Sequence, residues 1–588
     1  MKKSLIYILL FIALFMSCND DSMNKYPLHQ ISMETFWNSE NDLKIYNNEL
    51  YAYAVSGTMR LLIGNGGSAS SGGFGGQYIY DVMSDNIVSD LTHHAQYAKV
   101  RAGQITPDAN PTSFGWNNTC FTFIRSINIG LANYDKANVH QSVINKYKAE
   151  ARLFRAWVVA DKVSLYGDYP WVDKELNIDS PELYDKRTPR ETTMNHVLDD
   201  LNFACENLPN DWGDGNSPGR LNRWAALLLK SRICLFEGTW NKYHGGTKSE
   251  FWLEEAAKAS KELIDNGPYE LYSTGDPKHD YNAIFQMENL SGVKEVMWWR
   301  RYASGLQVNS WQHYLYLLNP SKSLVEDYLC TDGLPITLSP LYKGDMTYTS
   351  VFENRDPRMR QTILHPDDLS YYNYSDGEIS KVPTIIRSNL WSSLTGYHLI
   401  KFVNNELKRL IHNGYYPAIV LRFGEALLNY AESKAELGTI TQSDLDISIN
   451  KLRDRVGMPH IDINNIPIDP RYNNDGISPL ISEIRRERRV ELIGEGFRYD
   501  DLRRWKQGNK LTKKDYGIRW DEANRQAIDP EGNVDLGYEI FPGTTIEYIC
   551  PHKGGDLEYP VFEEKHYLWP IPVGPRSENP ALGQNPGW

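Results

Sequence analysis

The spacing of hydrophobic residues along the chain predicts a mainly α-helical protein. Between Thr35 and Tyr53 the large apolar residues recur at intervals of three, four and seven, which is the periodicity of one buried helix face. The same pattern returns in several later segments. The segments predicted to be helical after this first one are two within Trp116–Tyr166, then Pro189–Asn207, Arg223–Glu237, Phe251–Asn266, Val420–Leu437, Ser443–Val456 and Ile481–Ile493.

Local chemistry predicts two of the helix boundaries. The helix that ends near Tyr166 is followed by Gly167 and Pro170, residues that stop a helix. Asn222 stands directly before the helix from Arg223, where its side chain can cap the first free N–H groups. Consecutive helices joined by short loops resemble tetratricopeptide repeats of about 34 residues, although an irregular helical bundle has the same pattern.

The helical periodicity is lost between Gly267 and residue 419, where tyrosine, proline, glycine and asparagine are frequent and strands are short. Alternation in the strand Glu295–Tyr302 directs Trp298 and Trp299 to opposite faces, so one of the two is expected in the core. The glycine-rich stretch 64–76 is predicted to be a loop. The predicted division is a signal segment at 1–17, a linker at 18–34, a helical region at 35–270, a loop-rich lobe at 271–419 and a C-terminal region with returning helices at 420–588.

The N-terminus has the features of an exported lipoprotein. The apolar run from Leu5 to Met16 follows two lysines and is too short for the roughly 20 residues of a spanning helix, so it is typical of a secretory signal. It stops at Ser17 and Cys18, which resemble a bacterial lipobox cleaved before a lipidated cysteine. The acidic start at 19–21 is similar to the signal that sends Bacteroidetes lipoproteins to the cell exterior. We expect the mature chain to be anchored by lipid at Cys18.

Charge and cysteine usage exclude several classes of function. The formal net charge is -13, and removal of residues 1–17 deletes two lysines and no acids, giving -15. A protein this acidic repels phosphates, so nucleic acid is not an expected partner. The five cysteines after Cys18 are odd in number, far apart and never in a C-x-x-C pair. Neither a disulfide framework nor a metal site is indicated, and no cofactor is predicted.

A run of alternating charges from Glu483 to Glu491 holds four arginines and three glutamates. Its balanced charge argues against a basic surface for nucleic acid. Opposite charges also meet at helical spacing, as with Arg488 and Glu491. We interpret the run as a structural ion-pair network that joins two helices around Gly494 and Gly496.

The motifs that suggest catalysis fail on their chemistry. The stretch Gly215–Gly219 fits the hydrolase pattern G-x-S-x-G, but Pro218 follows the serine and has no N–H for an oxyanion hole. Carboxylate pairs such as Glu425 and Glu432 arise by chance among 75 acidic residues. The adjacent pair at 93–94 lacks the spacing of metal ligands. No catalytic residue is predicted.

Aromatic residues are the informative surplus, with 16 tryptophans and 37 tyrosines. Many stand in segments without core periodicity, where their rings can stack on the flat faces of sugars while polar neighbours bind the hydroxyls. This chemistry binds a ligand without reacting with it. The predicted ligand-binding residues are Tyr302, Trp311, Tyr314, Tyr316, Tyr372 and Trp391, with Asp85 and Asn86 as candidates for hydroxyl contacts.

Several short stretches with a distinctive composition are spread over nearly the whole chain. In order, they are Glu34–Trp37, Ala149–Ala156, Leu165–Pro170, Gly219–Ala226, Asn354–Arg358, Leu428–Glu432, Arg485–Leu492, Gly494–Trp505, Trp569–Pro572 and Gln584–Trp588. The most specific are the arginine-rich run at 485–492 and the stretch after it at 494–505. In sequence and in order, these stretches resemble the SusD/RagB family of outer-membrane nutrient-binding lipoproteins.

The resemblance implies four tetratricopeptide-like units packed against a less regular lobe. It also implies a lid on a SusC-like TonB-dependent transporter at the cell surface, and capture of oligosaccharide, or of peptide in the RagB branch. A purely structural lid and a surface glycosidase are the remaining alternatives. We expect a lipid-anchored, non-catalytic protein of the outer membrane that binds glycan.

Overall fold

The computed structural model describes residues 36–54, 77–89, 94–111, 114–215, 217–303, 306, 318–367, 371–372, 379–380, 393–403, 415, 417–473 and 475–588. Most of the regular structure in these residues is α-helical, as predicted. The α-helices are α1 (Glu40–Ala54), α2 (Ala95–Arg101), α3 (Asn118–Asn133), α4 (Gln141–Tyr166), α5 (Arg190–Asn207), α6 (Arg223–His244), α7 (Ser249–Asn266), α8 (Asp280–Ala283), α9 (Lys322–Asp327), α10 (Arg358–Thr362), α11 (Phe423–Glu436), α12 (Gln442–Asp446), α13 (Ile449–Arg455), α14 (Pro479–Glu491), α15 (Arg498–Arg504), α16 (Glu522–Ile528) and α17 (Val573–Glu578).

The β-structure consists of short antiparallel pairs. In the described residues the strands are β1 (Ile87–Val88), β2 (Val296–Arg300), β3 (Asn319–Pro320), β4 (Tyr371–Tyr372), β5 (Ile379–Ser380), β6 (Ala418–Arg422), β7 (Tyr538–Ile540) and β8 (Glu547–Ile549). The pairs are β1 with β3, β2 with β6, β4 with β5 and β7 with β8. Two of these pairs, β1 with β3 and β2 with β6, join segments that are far apart in the sequence.

The predicted helix boundaries are largely confirmed. Helix α4 ends before Gly167, which adopts a φ of 72°, and the side chain of Asn222 accepts a hydrogen bond from Ala225 N at 3.0 Å at the start of α6. Helix α6 runs to His244, seven residues beyond the predicted end, and stops at Gly245 in the left-handed region. The predicted helix Ser443–Val456 is instead the short pair α12 and α13.

Pairs of consecutive helices build a scaffold of the tetratricopeptide-like type. Helix α5 packs on α4, α7 packs on α6, and α11 packs on both α7 and α14. One continuous hydrophobic core therefore passes from the first helices to the last third of the chain. It includes Leu43, Phe154, Leu228, Leu427 and Trp569.

One of Trp298 and Trp299 was expected in the core, and the structure buries both. Trp298 is 4% exposed and Trp299 is fully buried. The pairing of β2 with β6 shifts register on either side of Trp298, and the Trp298 ring lies 6.0 Å from that of Tyr51 on α1. Because other elements cover both faces of the strand, alternation does not separate a buried face from a solvent face.

The predicted ion-pair network is confirmed, and it is buried. The carboxylate of Glu491 on α14 lies 2.7 Å from Arg455, 2.8 Å from Arg422 and 3.1 Å from Arg358. All four side chains are almost fully buried. Glu491 is therefore the centre of a cluster contributed by helices α10, α13 and α14 and strand β6.

One pair suggested within this run is not formed. Arg488, three residues before Glu491, points to the next helix instead, where its Nε lies 2.9 Å from Asp501. Arg488 and Glu491 each pair with residues on other elements instead of with each other. The network thus joins helices to one another rather than stabilising α14 alone.

Gly494 occupies a position that only glycine fits. Its φ is 76°, in the left-handed region, and its N–H donates to Asp81 Oδ2 at 2.7 Å. A Cβ atom there would lie 2.7 Å from a ring carbon of Phe402. Both the backbone conformation and the space therefore require glycine between α14 and α15.

Replacement of Gly494 with alanine is expected to lower the free energy of unfolding by about 2–4 kcal/mol, because left-handed strain and a clash with Phe402 add. Gly476 is the matched control, since its φ is 69° but nothing lies within 4 Å of a Cβ there. Gly476→Ala should cost only about 1–2 kcal/mol. Denaturant unfolding measures both, and equal losses in the two variants would contradict the packing argument.

Candidate functional site

The strand pairs place the ends of several connecting segments side by side. Arg300 at the end of β2 is paired with Ala418 at the start of β6. The segment that carries Trp311, Tyr314 and Tyr316 leaves after Ala303, and the segment 404–414 returns to the chain just before β6. The two segments therefore meet the described structure at the same end of this strand pair. We use the name loop edge for the ends of the β2–β6 pair and of the β1–β3 pair at which connecting segments are attached.

The β1–β3 pair brings together the ends of three connecting segments. Val88 is paired with Asn319, and the buried Asn319 side chain donates to Val88 O at 3.0 Å and accepts from Leu394 N at 3.1 Å. Segment 90–93 begins just after β1, segment 307–317 ends just before Leu318, and segment 381–392 ends just before Ser393. One amide side chain thus fixes the ends of three connecting segments relative to one another.

The predicted aromatic residues fall into two groups. Trp311, Tyr314, Tyr316 and Trp391 lie outside the described residues. Tyr372 belongs to β4, where it is paired with Ile379, and its side chain also lies outside the description. Their role in binding stays a prediction.

Tyr302 is placed differently from the prediction. It is 1% exposed and belongs to the hydrophobic core, with the Arg300 guanidinium carbon 5.1 Å from its ring centre. Burial raises the pKa of its hydroxyl above the ordinary value. A buried ring presents no face for a sugar to stack on, so Tyr302 supports the loop edge from inside.

Asp85 and Asn86 are also interior residues rather than surface contacts. The Asp85 carboxylate accepts from Arg498 Nε and Nη2 at 2.8 and 2.9 Å, and Asn86 Oδ1 accepts from Arg489 Nε at 2.8 Å. Burial alone would raise the pKa of Asp85, but Arg489 and Arg498 hold it below its usual range. These groups serve the ion-pair network, and sequence reasoning missed this because their partners are more than 400 residues away.

A small cleft beside β1, lined by both apolar and polar side chains, was not predicted. Its lining includes Ser89, Arg101, Asp515 and His552. Arg101 lies 3.2 Å from Asp515, and His552 lies 3.8 Å from the same carboxylate. The cleft borders Ser89, where segment 90–93 begins, so it offers hydrogen-bonding groups next to the loop edge. No local motif marks these residues, because the fold brings them together from opposite ends of the chain.

Carboxylates that could be read as catalytic have structural partners. Glu425 is held by Arg232 through two hydrogen bonds of 2.6 Å, and Glu432 lies 2.7 Å from Arg504 Nη2. Burial would raise the pKa of Glu432, but Arg504 lowers it to about 2. Ser217 of the G-x-S-x-G stretch contacts Ser291 Oγ at 2.9 Å, in the turn that leads to α6, as predicted.

Within the described part of the chain, no group of three or more histidine, cysteine, aspartate or glutamate residues is arranged to hold a metal ion. Cys120, Cys205, Cys234, Cys330 and Cys550 are free thiols. Over that part of the chain, none of the helices combines the length and the apolar character that crossing a membrane requires.

Comparison with known proteins places the chain in a family. A profile of the SusD family matches residues 281–588, which is more than half of the chain. The SusD-like protein P2 of Formosa agariphila is 21% identical over 577 residues, which cover 95% of this chain and 97% of the relative.

Solved structures share the fold over nearly the whole length. A SusD-like protein of Bacteroides fragilis superposes with a TM-score of 0.71 at 23% identity, covering 96% of this chain and all of that one. A SusD-like carbohydrate binding protein from the same species gives 0.72 at 22% identity, covering 93% and 100%. The helical scaffold, the arginine-rich helix α14 and the profile match agree, and the chain belongs to the SusD family.

Proposed function

We propose that this protein captures oligosaccharide noncovalently at the loop edge and passes it to a SusC-like TonB-dependent transporter. The observation that carries the proposal is the convergence of connecting segments at the β2–β6 and β1–β3 strand ends. The segments anchored there contain Trp311, Tyr314, Tyr316 and Trp391. Rigid strands that support aromatic loops are a common way to build a sugar-binding surface.

Two further observations favour glycan as the ligand. The chain has 16 tryptophans and 37 tyrosines, whose rings can stack on the faces of sugars. A solved relative in the same family is described as carbohydrate binding. Peptide capture, as in the RagB branch, is the second candidate, because tyrosine-rich loops also bind peptides.

Titration calorimetry of the mature chain distinguishes these two ligands. We expect saturable heat with at least one member of a panel of neutral and acidic oligosaccharides, and none with peptides of similar size. Saturable heat with peptides alone would contradict glycan capture and would indicate that the protein binds peptides, as in the RagB branch. Reducing ends that appear with time during incubation would instead indicate a glycosidase.

Membrane attachment is proposed through the lipid at Cys18. The Cys18→Ser variant is expected to move from the membrane fraction to the soluble fraction, because a serine cannot accept the thioether-linked lipid that anchors the chain. Immunoblotting of fractionated cells measures the change. Ser17→Ala is the matched control, since it keeps a small residue before the cysteine and should remain in the membrane fraction. A Cys18→Ser variant that stays with the membrane would contradict lipid anchoring.

A further inference from the structure

A larger cleft opens at one end of the helical scaffold, where α5 begins, α6 ends and α7 begins. Its lining includes Glu191, Trp240, Asn241, His244, Lys248 and Trp252. The cleft has a volume of about 240 Å³. It would hold about eight water molecules at roughly 30 Å³ each, and it is smaller than the roughly 300–1,000 Å³ of pockets that bind drug-sized ligands. The space therefore suits one small molecule rather than a long chain.

The charged groups of the lining are paired with one another. The Glu237 carboxylate accepts from Arg190 Nη2 at 2.7 Å and from Asn241 Nδ2 at 3.1 Å. Lys248 Nζ lies 2.7 Å from the Glu191 carboxylate, and these two side chains are 40% and 64% exposed. Because each cation of the lining has a carboxylate partner, the cleft offers no uncompensated charge to an ion. A neutral ligand is therefore favoured.

Several polar groups of the lining keep unused hydrogen-bonding capacity. His244 Nε2 lies 2.9 Å from Arg503 O. Because a carbonyl oxygen only accepts, Nε2 carries the proton and Nδ1 is an acceptor. Burial lowers the pKa of His244 to about 4, so the ring is neutral at physiological pH. The indole N–H groups of Trp240 and Trp252 have no acceptor in the described part of the chain, and neither is sealed from solvent. The cleft thus offers donors and an acceptor together.

The aromatic wall of the cleft is held in one arrangement. The guanidinium carbon of Arg190 lies 4.3 Å from the ring centre of Trp240, and the His244 ring stacks on the same indole at 3.8 Å. Trp240 is 9% exposed, so it offers little ring face for stacking, and a ligand would be recognised through hydrogen bonds. A hydroxyl group both donates and accepts. A molecule with several hydroxyls can therefore satisfy the indole N–H groups and the imidazole at once.

We propose that this cleft is a second ligand site, which binds one neutral sugar unit. The indole N–H groups of Trp240 and Trp252 would donate to sugar oxygens, and His244 Nδ1 would accept from a sugar hydroxyl. Glu191 and Lys248, both open to solvent, border the site. The lining residues belong to α5, α6, α7 and the turn between the last two, outside the strand pairs of the loop edge. The inference therefore does not depend on capture at the loop edge.

Ligand-observed NMR titration of the full mature chain with a panel of neutral methyl glycosides tests the proposal. We expect saturable binding of at least one glycoside. Glu191→Trp places an indole at the border of the cleft, so the affinity should fall about tenfold or more through a steric clash. Glu206→Trp is the matched control, because Glu206 is exposed near the far end of α5. It should keep the affinity within about twofold, as a surface change elsewhere does.

A photoreactive derivative of the best glycoside locates the site on the unaltered chain. Mass spectrometry should find its label on peptides that span 237–252. The same peptides should be labelled in the variant that carries Trp311→Ala and Tyr314→Ala, so a failure here and a failure at the loop edge are distinguishable. No saturable binding, binding that Glu191→Trp leaves unchanged, or a label confined to other peptides would overturn the proposal.

Competition identifies the source of the sugar. Displacement of the labelled glycoside by an oligosaccharide that ends in the same unit would assign the cleft to the end of a glycan chain. Displacement by the monosaccharide but not by the oligosaccharide would assign it to a free sugar.

Discussion

Replacement of Glu491 with glutamine is expected to lower the free energy of unfolding by about 3–5 kcal/mol. The change keeps the size of the side chain but removes the charge that faces Arg358, Arg422 and Arg455. Burial alone would raise the pKa of Glu491, yet these arginines hold it well below its usual range, so the group is ionised in the native state. With glutamine at this position, the three buried arginines would lose one of the carboxylates that neutralise them, and this uncompensated charge would destabilise the folded state.

The measurement is denaturant unfolding of the two purified proteins, followed by circular dichroism. Glu270→Gln is the matched control, because Glu270 pairs with Lys294 at the surface and both side chains are more than half exposed. An exposed pair contributes about 1 kcal/mol or less. If Glu491→Gln cost no more than Glu270→Gln, the buried network would not be a determinant of stability.

Combined replacement of Trp311 and Tyr314 with alanine is expected to weaken glycan binding about a hundredfold. Each aromatic residue at the centre of a binding surface contributes about 1.4 kcal/mol or more, and each 1.4 kcal/mol is a factor of ten in affinity. If these residues act as the proposed function requires, the free energy of unfolding should stay unchanged within about 0.5 kcal/mol, because surface side chains that contact a ligand contribute little to stability. Titration with the best glycan of the panel measures the affinity.

Tyr184→Ala is the control for the aromatic replacements. Tyr184 is 64% exposed in the 3₁₀ turn Pro181–Tyr184 between α4 and α5, outside the loop edge. Its removal should leave affinity unchanged. Unaltered binding in the Trp311 and Tyr314 variant would reject these residues as contacts. Unaltered uptake in cells, together with no measurable affinity in the parent protein, would favour a purely structural lid.

Helices could be predicted from the sequence because their signals are local. The period of α4, the stop at Gly167 and the cap at Asn222 each involve residues within a few positions of one another. Helix α6 extends beyond its predicted end because residues near that end pack against other elements. The guanidinium carbon of Arg190, for example, lies 4.3 Å from the ring centre of Trp240. Tertiary contacts of this kind are invisible to a short window.

The candidate site was harder to predict, for the same reason. Composition revealed the surplus of aromatic residues, but not that Tyr302 lies in the core. The sequence around Asp85 contains no arginine that could reveal its pairing with Arg498, 413 positions away. The run at 483–491 correctly indicated an ion-pair network, whereas its partners depended on how several distant elements pack against α14. Residue types were predictable, and their neighbours in space were not.

The buried ion-pair network around Glu491 joins residues that are far apart in the sequence, and this affects the stage of synthesis at which it can form. The contact between Arg358 and Glu491 spans 133 residues, and that between Arg489 and Asn86 spans 403. A growing polypeptide that ends before α14 lacks Glu487, Glu491 and Glu495, so its buried guanidinium groups cannot be neutralised. Contacts of such high sequence separation form late and slowly. A nascent chain therefore cannot complete the buried ion-pair network until α14 has been synthesised.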